Sequence, residues 1–160
     1  MDRVIVYIDG FNLYYGIRSK GWKRYLWINL QNLSRNILKP DGSQTLIKTK
    51  YFTTRISTTD TAKIKRQNSF LDALSTLSDF DVFYGHYLLK DVKCNNCGTI
   101  SRIPEEKKTD VCIATEMIFD AFNDMFDTAI LVSGDGDLVP PVRKIIESFP
   151  HKRIGVAFPP

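Results

Sequence analysis

The chain has 160 residues, 43% hydrophobic and 25% charged, a size and composition that support one soluble globular domain (1–160) with its own core. No apolar run approaches the roughly 20 residues of a membrane span, and the N-terminus lacks the charged, apolar and small-residue regions of a secretory signal, so a cytoplasmic location is expected. The net charge of +4 hides an uneven distribution: residues 10–40 hold six Lys or Arg and no acid, whereas acids dominate from Glu105 to Asp137.

In chain order, apolar runs of strand length occur at residues 3–8, 46–53, 81–88, 128–132 and 153–157, each bounded by Gly, Pro, Asp or Ser. Helical patterns fall near residues 30–38, 61–77 and 110–126, and a last helix is opened by Pro140 and Pro141 and runs to about residue 148. The alternation is that of an α/β protein with right-handed crossovers, a central mainly parallel five-stranded sheet and helices on both faces. Residues 90–108, which carry Cys94 and Cys97, read as an irregular insertion.

Open parallel sheets bind ligands beyond the C-terminal ends of their strands. Asp9 ends the first strand, and Asp135 and Asp137 of the stretch SGDGD, residues 133–137, follow the fourth. They share one rim, and converge if those two strands are neighbours. On the intervening helix, at 100° per residue, Val111, Ala114, Ile118, Ala121, Phe122 and Met125 make one apolar stripe expected to face the sheet, with Asp110 at its edge and Glu116 and Asp120 pointing away. Of the helix's acids, Asp110 is the one placed to join the rim.

Each acid has a structural alternative: Asp110 and Asp137 as helix caps, Asp135 in a tight Gly turn. Asp9, directly after a buried strand, has the least structural reason to exist. Clustered carboxylates repel one another and are tolerated where a divalent cation neutralises them. Oxygen ligands with room for water and phosphate suit Mg²⁺ or Mn²⁺, as one or two ions.

Three stretches, YIDGFNLYYG, EEKKTDVCIATEMI and DTAILVSGDGDLVPPVRKI, resemble in order and spacing the NYN domain, the PIN-like nuclease fold of LabA-like proteins of the former DUF88 group. The resemblance covers nearly the whole chain and implies a PIN-like, Rossmannoid three-layer sandwich. It implies a metal-dependent ribonuclease or nuclease, with Asp9, Asp110, Asp135 and Asp137 as metal-binding and catalytic acids and Asn12 as the Asn of the DGxN pattern. One departure is Lys108, where the family pattern usually has Gly. The family also often continues with a further helical segment past the point where this chain stops. A carboxylate-held divalent ion lowers the pKa of water and neutralises phosphate charge, so hydrolysis needs no nucleophilic side chain. Asn12 is grouped with the catalytic residues and Ser133 with the nucleic-acid contacts, though either side chain could instead hold its turn together, and the Ser133 hydroxyl could bond an acid as well as a phosphate.

Arg18, Lys20, Lys23 and Arg24 follow the first acid among Tyr14, Tyr15, Trp22, Tyr25 and Trp27, pairing phosphate neutralisation with faces on which unpaired bases stack; Tyr15 is the aromatic assigned to nucleic acid. Single-stranded RNA is the expected partner, and a homo-oligomer is compatible with the sequence but not specified by it. A structural Zn²⁺ at Cys94 and Cys97 is the minority reading, since a closed site needs four ligands and only His86 stands nearby. The rival functional class is a non-catalytic RNA-binding or regulatory module that keeps the acidic pocket. A phosphatase with an acid after its first strand requires a second Asp two residues on, where this chain has Phe11.

Overall fold

The computed structural model describes residues 1–56, 58–93 and 96–160. Five strands, β1 (Asp2–Asp9), β2 (Gln44–Thr53), β3 (Phe80–Tyr84), β6 (Thr128–Val132) and β7 (Arg153–Ala157), form a wholly parallel sheet in the order β3-β2-β1-β6-β7. The expected five-stranded parallel sheet is therefore present. β1 and β6 are neighbours, Ile8 facing Val132 in register, which is the condition for the acids after both strands to converge.

Period-two alternation sends β1 into two cores. Val4, Val6 and Ile8 pack with Leu13 and Ile17 of α1 (Gly10–Ser19), Leu30 of α2 (Leu30–Asn36), and Leu71 and Leu74 of α3 (Thr61–Ser75). Ile5 and Tyr7 face the opposite way, onto Ile113, Met117 and Ala121 of α4 (Thr109–Phe122) and Ile145 of α5 (Val139–Ser148). Helices cover both faces, giving three layers. No helix among the described residues is long and apolar enough to cross a membrane.

Three expectations need correction. The first is α1, which lies in the basic, aromatic stretch where the periodicity assigned no helix; Leu13 and Ile17 supply its buried face at the i, i+4 spacing. The second is the run 81–88, which breaks at Gly85. Beyond it, β4 (His86–Lys93) pairs antiparallel with β5 (Ile100–Lys107), so the segment read as an irregular insertion is mostly a hairpin. The third is the phase of α4. Its buried residues are Thr109, Ile113, Met117, Asp120 and Ala121, while Val111, Ile118, Phe122 and Met125 are exposed.

Charge decides that phase against a count of apolar residues. Lys50 of β2 is buried in the sheet, and its ammonium lies 2.7 Å from carboxylate oxygens of both Glu116 and Asp120; the Tyr7 hydroxyl donates to Asp120 at 2.6 Å. A buried ammonium without carboxylates would cost more than leaving several apolar side chains in water. Burial alone would lower the Lys50 pKa, but its hydrogen bonds to Asp120 and Glu116 hold it above the ordinary value.

Candidate metal and nucleic-acid site

At the C-terminal rim of the sheet, Asp9, Asp110 and Asp135 each offer a carboxylate oxygen, and the three atoms lie within 4.8 Å of one another. The elements explain the convergence. Asp9 is the last residue of β1, Asp135 follows the neighbouring β6, and Asp110 stands in the first turn of α4. By the true phase of α4, Asp110 lies about 20° from buried Met117, seven residues on at 100° each. It therefore belongs to the sheet-facing side itself.

Asp9 is buried and does more than offer a ligand. Its Oδ1 accepts the Asn12 N–H at 3.0 Å, capping α1, and its Oδ2 accepts the Ser133 hydroxyl at 2.9 Å. Burial pushes its pKa up; the hydrogen bonds from Asn12 and Ser133 oppose this, and the Asp135 charge adds to it. Gly10 is required beside it, because a Cβ there would lie 2.6 Å from the Phe52 carbonyl oxygen.

Ser133 is 2% exposed, donates to Asp9 and accepts the Asp135 N–H at 3.1 Å. A direct contact with nucleic acid is thereby replaced by the other branch: this hydroxyl holds two acids in place. Asn12 Oδ1 accepts the Gly134 N–H at 2.9 Å, which ties the loop after β6 to α1. Asp137 is exposed and lies outside the trio; it contributes a backbone N–H to Asp135 Oδ1 at 2.9 Å. Asp135 thus caps its own short 3-10 turn while its carboxylate faces Asp9 and Asp110.

A cleft of about 440 Å³ opens over the trio, walled by Phe11, Asn12, Tyr15, Gly16 and Ser19 of α1, by Thr109, by Gly134 and by Pro159 and Pro160. The proline tail was not legible as a wall. Gly16 admits it, since a Cβ at that position would come within 2.9 Å of the Pro160 carbonyl oxygen. Tyr15 is 57% exposed and stacks on Phe11 with ring centroids 6.1 Å apart, so it is a surface aromatic rather than a core one. Arg18 lies in the last turn of α1, Lys20 caps its end, and Lys23 and Arg24 sit on a 3-10 turn with the Arg24 guanidinium 4.7 Å over the Tyr25 ring. All four cations are exposed, on either side of Ser19, and none of them lines the cleft.

Lys108 has φ of 78° at the entry to α4. That left-handed conformation explains why a glycine is usual there. Lys108 Nζ lies 2.8 Å from His86 Nε2. The zinc expectation rests on Cys94, which lies outside the described residues; Cys97 is exposed, and its thiol donates to Thr99.

The NYN domain model matches residues 3–156, almost the whole chain. This chain belongs to the NYN domain family. NYN domains as a group are PIN-like nucleases, and nuclease chemistry is the family's coarse assignment. A relative from Pseudomonas putida, named 6-hydroxy-3-succinoylpyridine 3-monooxygenase HspA, is 27% identical over 98% of this chain; the chain spans 59% of that protein's length. The crystal structure of a protein of unknown function from Vibrio parahaemolyticus is similar over 98% of this chain and 81% of the other, with a TM-score of 0.59 at 21% identity. That likeness speaks to the fold. For this NYN domain, the three-acid cluster is the feature that fits a metal site.

Proposed function

We propose that this NYN domain is a metal-dependent nuclease that hydrolyses phosphodiester bonds of single-stranded RNA. The observation that carries the reading is the convergence of Asp9, Asp110 and Asp135, with oxygens within 4.8 Å, at the rim where parallel sheets bind ligands. Three like charges this close, one of them buried, raise one another's cost of ionisation. An all-oxygen donor set without His or Cys fits a hard cation such as Mg²⁺ or Mn²⁺. In this reading the three acids hold the ion, which supplies an activated water and neutralises charge on the phosphate.

The chain's other residues position and bind. Ser133 fixes Asp9 and the Asp135 backbone, Asn12 pins the Gly134 loop, and the Asp137 N–H orients Asp135. Tyr15 and Phe11 present aromatic faces in the cleft for an unpaired base, and Arg18, Lys20, Lys23 and Arg24 extend a phosphate track from its edge.

The test is incubation of labelled single-stranded RNA with the protein in Mg²⁺, in Mn²⁺ and in EDTA. Cleavage that requires the metal and disappears in Asp9→Asn is expected. RNA that is bound but never cut, at any metal concentration, would favour the non-catalytic binding module instead.

A further inference from the structure

The basic and aromatic residues between Gly10 and Trp27 lie with α1, which closes the cleft together with the tail that follows β7. The strand order leaves another side. Going along the rim from Asp135 (β6) through Asp9 (β1), the next two strand ends are those of β2 and β3, about 5 Å apart per strand. Arg55 follows β2 and Tyr84 ends β3. The Arg55 guanidinium lies 5.0 Å over the Tyr84 ring, and that ring is 43% exposed.

This corner is anchored to the carboxylate trio. Thr54, next to Arg55, touches Thr109 hydroxyl to hydroxyl at 3.4 Å, and Thr109 stands between Lys108 and Asp110. From α3, Gln67 donates to the Thr54 carbonyl and accepts the Ile56 N–H, and Asn68 accepts from the Arg55 guanidinium at 3.0 Å. A guanidinium held in this way over an aromatic ring can still present N–H groups to a phosphate. Charge pairing separates the two rims. At the opposite rim Arg3, Lys152 and Arg153 all meet carboxylates, whereas among the described residues Arg55 has no carboxylate partner.

We propose that Arg55, Tyr84 and Lys108 form a second nucleic-acid subsite on the β2–β3 side of the trio, so that a bound strand is gripped there as well as by the α1 segment. The subsite rests on the nuclease reading of the same rim. Lys108 and Arg55 take phosphates, and Tyr84 offers a face to a base.

Binding and cleavage together test it. A labelled single-stranded RNA of about 16 nucleotides, within the site sizes of single-strand grooves, is titrated by anisotropy into metal-free protein at several salt concentrations and assayed with Mn²⁺ for cleavage. Arg55→Ala with Lys108→Ala should weaken binding by roughly tenfold and lower the slope of log affinity against log salt by about 0.7 for each phosphate no longer neutralised. Arg55→Lys should keep most of that slope, and a thermal melt checks that each variant is folded. Unchanged affinity and slope in the folded double variant would overturn the subsite while leaving the nuclease reading intact, provided Asp9→Asn still abolishes cleavage. Wild-type protein that neither binds nor cuts the RNA would remove both.

Discussion

Asp9 serves two ends that conflict at the level of the single residue. As a buried carboxylate facing Asp135 it costs stability when charged, yet as the cap of α1 and the acceptor from Ser133 it has a hydrogen bond on each oxygen. Asn keeps the capping oxygen and removes the charge. Asp9→Asn should therefore melt at the same temperature as wild type or higher in EDTA. Added Mn²⁺ should raise the wild-type melting temperature and leave the variant's unmoved; a variant that gains as much from Mn²⁺ would contradict a role in holding the ion. Ser133→Ala leaves all three acids in place and removes only their support, so Mn²⁺ affinity by calorimetry should fall about ten- to a hundredfold. Lys108 shows the opposite balance. Its left-handed backbone costs about 1–2 kcal/mol, part of which returns as chain entropy when glycine is present. Lys108→Gly should raise stability to urea by roughly 1 kcal/mol while weakening RNA binding, so that the fold gains what the nucleic-acid surface gives up.

Helix α4 shows at the element scale what could and could not be seen in the sequence. Its existence, its place before β6 and the presence of Asp110 at its start follow from periodicity and from the spacing of the acids. Its rotation does not, because the helix bears two apolar stripes, and the choice between them depends on Lys50, sixty-six residues from its partner Glu116. The rim acids Asp9 and Asp135 were legible because strand ends and Gly turns mark themselves locally. For Ser133 the sequence left an acid and a phosphate open as partners, and the proline wall and the Arg55 corner were not legible, since each is a product of strand order. The buried triad leads to a stability prediction. Lys50→Met leaves Asp120 buried without its cation and should cost about 3–5 kcal/mol in urea unfolding. Adding Asp120→Asn should recover most of that loss, because no uncompensated charge remains and the Tyr7 hydroxyl keeps an acceptor. A single variant as mild as a surface substitution would mean the triad is solvated and does not set the phase of α4.

Across the whole molecule, the two ends of the sheet handle charge in opposite ways. At the C-terminal rim, acids face acids. At the N-terminal rim, acids face bases: Arg3 donates to Asp127 through its backbone N–H and its guanidinium, both at 2.8 Å, Lys152 meets Asp124, and Arg153 meets Asp2. The hydrogen bonds from Arg3 hold the Asp127 carboxyl well below the usual carboxylate range, and those from Lys152 and Arg3 lower Asp124. Burial would raise Asp2, but Gln44, Thr128 and Arg153 more than offset it. The sign follows from linkage. A carboxylate with a depressed folded pKa contributes stability that is present above its unfolded value, about 4, and is lost as the pH falls below it. Asp9, with its pKa raised, contributes in the other direction, its cost easing as it is protonated. In EDTA, the urea midpoint of the wild type should therefore fall between pH 5 and the lowest pH at which the protein stays folded, with the lower rim setting the direction because it holds more depressed groups. Asp127→Asn should start from a lower midpoint at pH 7 and decline less steeply on acidification, since the charge that acid would neutralise is already gone. The effect should shrink in high salt, as Arg3 and Asp127 are partly exposed. An acid limb of equal steepness in wild type and Asp127→Asn would show that the lower rim does not set the pH dependence of this fold.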